Sequence, residues 1–217
     1  MRSRRLAPGS PATTAAAFSA ILVLAVAACA PAGPTVDLVL VGGTVYAGDG
    51  DAPVIADVAI GGGRIVGVGQ GLNVPEGAEA VDVAGLVVAP GFIDAHSHAE
   101  LDEPWGRDAR AFLTQGITTV ALGLDGGGTW EVADQIAAWE DNGIGVNALT
   151  FVGHNAVRRE VMGMDARAPT GAELERMKGM VRRGMEEGAF GLSSGLFYTP
   201  GYYAETGEVI ELGRAAG

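Results

Sequence analysis

Apolar residues fall in two regimes along this chain. From residue 36 to 89 they come in short β-rich runs separated by glycine and polar turns. Val36–Val41 and Thr44–Tyr46 flank a glycine break, Ala56–Ile60 and Arg64–Val68 flank Gly61-Gly62-Gly63, and Ala80–Val83 and Leu86–Ala89 follow. Runs of this length and composition predict strands, and the glycine-linked pair predicts a hairpin. The triple glycine resembles a phosphate loop only superficially, because no helix follows it. Beyond residue 87 the pattern alternates strand and helix. Phe92-Ile93-Asp94 reads as a first strand, and Pro104 is expected to open a helix through Ala109, Phe112 and Leu113 that Gly116 stops. Ile117–Leu122 reads as a second strand, followed by a helix capped by Thr129 and carrying Val132, Ile136 and Trp139. Gly145–Val152 is the third strand. Thr170-Gly171-Ala172-Glu173 is a capping box opening a helix with Leu174, Met177, Val181 and Met185 along one side. Ala189–Gly195 is the fourth strand, and Val209–Leu212 starts another helix.

Four strand–helix units after a small β region predict the α/β class and half of a (β/α)8 barrel. A whole barrel takes about 250 residues. Residues 90–217 are therefore expected to form the first half of a barrel from a longer enzyme, and residues 36–89 the N-terminal part of a small β domain.

The first 29 residues follow neither regime. Arg2, Arg4 and Arg5 precede an apolar run from Ala12 to Ala28. A basic start and a short apolar stretch describe an export signal, and the stretch falls short of the roughly 20 residues of a membrane span. Val26-Ala27-Ala28-Cys29 resembles the lipobox of bacterial lipoproteins, in which the cysteine becomes lipidated, and residues 30–35 read as a linker. The expectation is an exported protein anchored through Cys29, or else periplasmic or secreted. Cys29 is the only cysteine, so an intrachain disulfide is excluded. A net charge of −12 argues against a basic face for nucleic acid or anionic lipid. Membrane contact is expected through the anchor alone.

The candidate chemistry sits at the end of the first strand of the second regime. His96 and His98 are two of only three histidines, spaced i and i+2. Alternate residues of a strand face the same side, so both imidazoles can meet one divalent metal. In a barrel, strand C-termini carry the active site. Imidazole is a good zinc ligand, and a catalytic zinc keeps a position open for water.

Pro90-Gly91-Phe92-Ile93-Asp94-Ala95-His96-Ser97-His98 resembles the first-strand signature of the amidohydrolase superfamily. Gly116–Val120, Gly153–Arg158, Val161-Met162-Gly163 and Gly191–Tyr198 resemble, in the same order, motifs of the N-acyl-D-amino-acid deacylases. The resemblance implies a metal-dependent (β/α)8 barrel beside a small β-sandwich. It implies one or two Zn2+ ions and small N-acyl-D-amino acid substrates, with amide cleavage by metal-bound hydroxide. His96 and His98 match the family's histidine pair. Asp125, in Gly123-Leu124-Asp125-Gly126, stands where the family often has a metal-binding cysteine, and a carboxylate is a legitimate zinc ligand. Tyr198 matches a substrate-contacting tyrosine. His154 matches an element after strand three and either lines the pocket or positions its neighbours. Arg158 either receives a substrate carboxylate or makes a structural ion pair. Ser193 and Ser194 lack a His–Asp partner and read as backbone-shaping.

Lys178, the only lysine, lies on the helix before strand four and not on that strand. This disfavours the subtypes that bridge two metals with a carboxylated lysine, the hydantoinases and dihydroorotases. The family's remaining metal histidines and its catalytic aspartate are expected beyond residue 217, so the 217-residue polypeptide alone is expected to be inactive. Two other readings stay open: an amidohydrolase acting on a D-dipeptide or cyclic amide, and a non-catalytic surface lipoprotein on a degenerate barrel.

Overall fold

The structure is a computed structural model and describes residues 35–217. The expected export signal, residues 1–29, and Cys29 lie outside the described residues. No helix among the described residues is long and apolar enough to cross a membrane. The chain divides into two compact units, one reaching Gly43 and resuming over Ile55–Leu86, the other comprising Thr44–Val54 and Val87–Gly217. The stretch after Gly43 thus groups with the second unit.

The first unit is built on strands β1 (Leu38–Val45), β2 (Val54–Gly61), β3 (Arg64–Gly69) and β4 (Glu79–Asp82), in the order β3-β2-β1-β4. The hairpin is β2–β3, with Gly61 opposite Arg64. Its turn residues Gly62 and Gly63 have φ of 56° and 72°, the left-handed values a two-residue hairpin turn needs. The expected break at Gly42-Gly43 does not end the strand, since β1 runs through it. The Gly42 N–H turns aside instead and donates to Asp57 Oδ1 at 2.8 Å, while Asp57 Oδ2 accepts from Leu72 N at 2.9 Å. Donation from Gly42, then from Leu72, holds the Asp57 carboxyl below its ordinary range.

In the second unit, β5 (Val87–Val88) runs parallel to the end of β1, pairing with Thr44 and Val45. Strands β6 (Phe92–Asp94), β7 (Ile117–Leu122), β8 (Asn147–Gly153) and β9 (Gly191–Ser193) form a parallel sheet in chain order. Parallel neighbours require crossovers. These contain α1 (Arg110–Leu113), α2 (Val132–Asn142), and α3 (His154–Met162) with α4 (Gly171–Glu186), while α5 (Thr206–Ala216) follows β9. This is the strand–helix repeat of half a (β/α)8 barrel. One buried cluster joins Val132, Val152, Val157, Met177, Val181 and Leu212, and a second joins Leu101, Val120, Leu122, Trp139 and Val146. The stripe expected on α4 is the one that faces the core, with Met177 and Val181 fully buried.

Two local expectations are corrected, and one helix was not anticipated. Pro104 opens turns rather than a helix, and α1 is a single turn that starts only after Ala109, whose φ of 48° is left-handed. Thr129 does not cap α2. Its hydroxyl accepts from Glu131 N at 3.0 Å in a turn that precedes the helix. Helix α3 was not legible, because His154, Asn155 and Arg158 occupy buried positions that would ordinarily be apolar. The capping box at α4 forms as expected: Glu173 N donates to Thr170 Oγ1 at 3.3 Å and Thr170 N to Glu173 Oε2 at 2.7 Å.

Candidate metal centre

The two histidines follow directly from the end of β6, which is aligned on β7 through Ile93 opposite Thr119 and Asp94 opposite Val120. Alignment persists past the strand, because Ser97 N donates to Ala121 O at 3.0 Å. Ser97 is buried, and its hydroxyl accepts from Ala99 N at 3.3 Å. With Ser97 turned inward, strand alternation leaves His96 and His98 on the other side together, their ring centroids 5.4 Å apart.

Asp125 arrives from the loop after β7. It has φ of 55°, a left-handed conformation that aspartate tolerates better than most residues. Neighbouring backbone enforces that shape. Gly126 N donates to Ser193 Oγ at 3.2 Å, Asn155 N to Gly126 O at 3.0 Å, and Gly153 N to Gly128 O at 3.0 Å. Gly195 presses on the same loop so closely that a Cβ there would lie 2.2 Å from Asp125 O. The Gly126–Gly128 run is therefore a close-packed bracket between strand ends, and Ser193 is one of its fasteners. Ser194 Oγ contacts His154 Nδ1 at 3.0 Å, and His154 in turn meets Glu208, so the expectation that Ser194 lacks a histidine–carboxylate partner is corrected.

Asp125 Oδ2 lies 3.2 Å from His96 Nε2 and 3.4 Å from His98 Nε2. The three donor atoms all lie within 4.8 Å of one another. Zinc bonds of about 2.0–2.1 Å at tetrahedral angles separate neighbouring ligand atoms by about 3.3–3.4 Å. The two histidine–carboxylate distances match that edge, and two imidazoles with one carboxylate are a zinc-type donor set. The residues present fit the metal, with coordination positions to spare.

His98 and Asp125 open into a cleft of about 770 Å³ that Tyr198 and Thr199 also line. Asn155 ties its parts together: Nδ2 donates to Gly195 O at 3.3 Å and to Tyr198 O at 3.4 Å, while its backbone holds Gly126. Asn155 lies within the Gly153–Arg158 motif, and nothing local in the sequence announces this tie. The other two suggested substrate residues lie elsewhere. His154 and Arg158 are completely buried and do not line this cleft. His154 Nε2 meets Glu208 Oε1 at 2.8 Å, and Arg158 Nη1 donates to Glu208 Oε2. Arg158 Nη2 also donates to Arg167 O at 2.6 Å and to Asp165 O at 3.3 Å. Of the two roles open to each, the geometry gives Arg158 the structural ion pair and His154 the positioning one. Burial works to raise the Glu208 carboxyl. Hydrogen bonds from His154 and Arg158, with the Arg158 charge, outweigh it and leave the group below its ordinary value. No local sequence signal marks Glu208, which lies on α5. Lys178 sits on α4 and pairs with Glu175 and Glu211 at 2.8 and 3.5 Å.

A parallel strand–helix half barrel with a His-x-His end and a third donor from the loop after the next strand is the arrangement that the resemblance to the amidohydrolase superfamily implies. No family model matches the chain. Over four-fifths of its length, the chain is a homologue of the D-aminoacylases and N-acyl-D-amino-acid deacylases of that superfamily. It is 36% identical over 201 residues to a D-aminoacylase of Alcaligenes xylosoxydans xylosoxydans, covering 82% of this chain and 41% of that protein. An N-acyl-D-aspartate deacylase of the same organism is 34% identical, with 81% and 40% covered. Among solved structures, a D-aminoacylase studied for its binuclear metal centre superposes with a TM-score of 0.77 at 32% identity, over 83% of this chain and 43% of that one. An N-acyl-D-glutamate deacylase from Bordetella bronchiseptica, complexed with zinc and a phosphonate mimic of the tetrahedral intermediate, gives a TM-score of 0.76 at 33% identity, over 83% and 42%. The chain thus spans about two-fifths of the length of the relatives it matches.

Proposed function

We propose that the protein hydrolyses N-acyl-D-amino acids to a D-amino acid and a carboxylic acid, using zinc held in part by His96, His98 and Asp125. The observation that carries this reading is the three-donor group at adjacent strand ends, in a chain 36% identical to a D-aminoacylase. Zinc bound there supplies a Lewis acid and a water acidified to a pKa of about 7. The chain's own residues do the rest. Ser97 and the β7 backbone hold the segment that carries the imidazoles, the Gly126–Gly128 bracket holds Asp125, and Asn155 holds the Tyr198 loop against that bracket. Tyr198 lines the cleft, where its side chain can contact the acyl group or its amide.

Export rests on residues 1–29. Their composition supports a leader that ends just before Cys29, with the protein tethered outside the cytoplasm by a lipid on that cysteine.

The test uses the full-length protein. Zinc-dependent release of D-methionine from N-acetyl-D-methionine is expected, with His96→Ala and Asp125→Ala each losing zinc affinity and turnover. Zinc-independent turnover, or full activity in both variants, would overturn the assignment. Palmitate labelling that survives Cys29→Ser would overturn the anchor.

A further inference from the structure

The ladder between β8 and β9 ends with Gly153 opposite Ser193. The next pair, His154 and Ser194, is joined through side chains instead, with Ser194 Oγ 3.0 Å from His154 Nδ1. His154 is completely buried, and its Nε2 meets Glu208 Oε1 at 2.8 Å. Arg158 holds the other oxygen of the same carboxylate. Burial opposes charge on Glu208, but the hydrogen bonds from His154 and Arg158 outweigh it and keep the group ionised. An ionised carboxylate only accepts, so His154 Nε2 carries a proton, and Nδ1 of the neutral ring accepts from the Ser194 hydroxyl. The order serine, histidine, carboxylate is that of a nucleophile triad. Here, however, a proton passed from Ser194 to His154 would leave two buried cations, His154 and Arg158, against one carboxylate. The imidazole therefore holds Ser194 and does not activate it.

What Ser194 holds in place is the seat of a metal ligand. Its two neighbours face the candidate centre: Ser193 Oγ accepts from Gly126 N at 3.2 Å, and a Cβ on Gly195 would lie 3.0 Å from Asp125 Cα. Alternation along the strand exit thus sets residues 193 and 195 against Asp125 and Gly126, and residue 194 against His154. We propose that His154, anchored on Glu208, is a positioning residue for the metal centre: through Ser194 it fixes the strand exit on which Asp125 is seated. This rests on the zinc group of the reading above and deepens it. Beyond Ser193 the β8–β9 ladder no longer aligns the two segments, so the Ser194 bond carries their alignment one residue further. Asn155 Nδ2 adds a bond of 3.3 Å to Gly195 O. The Ser194 bond differs in its anchor, because a hydrogen bond to an ionised carboxylate is roughly twice as strong as a neutral one. Helix α5 thereby reaches Asp125 without touching it.

The experiment measures the zinc affinity of the full-length protein by chelator competition, well below the Tm of each variant, for wild type, Ser194→Ala, Ser194→Thr, His154→Phe and the double variant Ser194→Ala/His154→Phe. Ser194→Ala should weaken zinc binding by about 10-fold, as when the outer support of a ligand is removed. Its Tm should stay close to wild type, because the buried Glu208–Arg158 pair is untouched. Ser194→Thr returns the hydroxyl and should recover most of the loss. His154→Phe keeps the ring's shape without its nitrogens and should weaken zinc to a similar extent. The double variant should lose no more than the weaker-binding single variant, because both act through one chain of contacts. Wild-type affinity in Ser194→Ala, an equal loss in Ser194→Thr, or additive losses in the double variant would overturn the inference. Should His154→Phe fail to fold, the two Ser194 variants decide. Zinc binding without release of D-methionine from N-acetyl-D-methionine would sink the deacylase reading and leave this inference standing. Failure of wild type to bind zinc would overturn both.

Discussion

Replacing Gly195 by alanine should uncouple the candidate metal ligands from one another. The added Cβ would sit 2.2 Å from the Asp125 carbonyl oxygen and 3.0 Å from its Cα, whereas ordinary contact begins at 3.4 Å. Both neighbours are backbone, so no side chain can rotate away, and the two segments must part by about 1 Å. Asp125 is the segment with freedom to yield, because β9 is hydrogen-bonded to β8 up to Ser193. A shift of that size takes Oδ2 out of the 3.2 and 3.4 Å relation to the two imidazoles. Overpacking of this kind costs about 1–3 kcal/mol of stability, or about 2–4 °C in Tm per kcal/mol for a chain of this size. Zinc affinity should fall by about 10- to 100-fold, as it does when the support of a ligand is disturbed. Competition with a chromogenic chelator and a thermal melt measure the two effects. Gly179→Ala is the control: it lies on the exposed face of α4 with nothing within 4 Å of its Cβ, and should leave zinc binding intact and raise stability by up to about 1 kcal/mol. Wild-type zinc affinity and Tm in Gly195→Ala would show that the bracket does not hold Asp125.

The buried cluster on α3 and α5 predicts that Glu208→Gln costs about 3–5 kcal/mol in urea denaturation, because Arg158 keeps its charge and loses its counter-ion. The same variant has a pH signature. The folded Glu208 carboxyl lies below its ordinary value of 4.5, so its contribution is complete above that pH and is lost as pH falls through the folded value; the acid limb of the stability curve should flatten in Glu208→Gln. At the start of α4, Thr170→Ala removes the acceptor of the Glu173 N–H and should cost about 1 kcal/mol by the same denaturation assay.

Elements whose signals are local were readable. The Gly62-Gly63 hairpin, the α4 stripe and its capping box each depend on residues within a few positions of one another. So does the common facing of His96 and His98, which follows from strand periodicity and a buried Ser97. Elements whose apolar pattern is interrupted for tertiary reasons were not readable. Helix α3 buries His154, Asn155 and Arg158 because Ser194, Gly195 and Glu208 come from 40 to 50 residues away to satisfy them. The single turn of α1 reflects the left-handed Ala109, which composition does not announce.

For the candidate site, sequence by itself determined the donor types and the side of the strand from which two of them project, since residue identity and period-two alternation need no partner. Tertiary structure alone decided which groups meet. It brought Asp125 across 29 and 27 residues to the two imidazoles, and sent Arg158 inward to Glu208 while turning its neighbour Arg159 to the cleft. The reason is that burial and charge pairing are satisfied between segments distant in the chain, and one step along a helix is enough to exchange a core position for an open one.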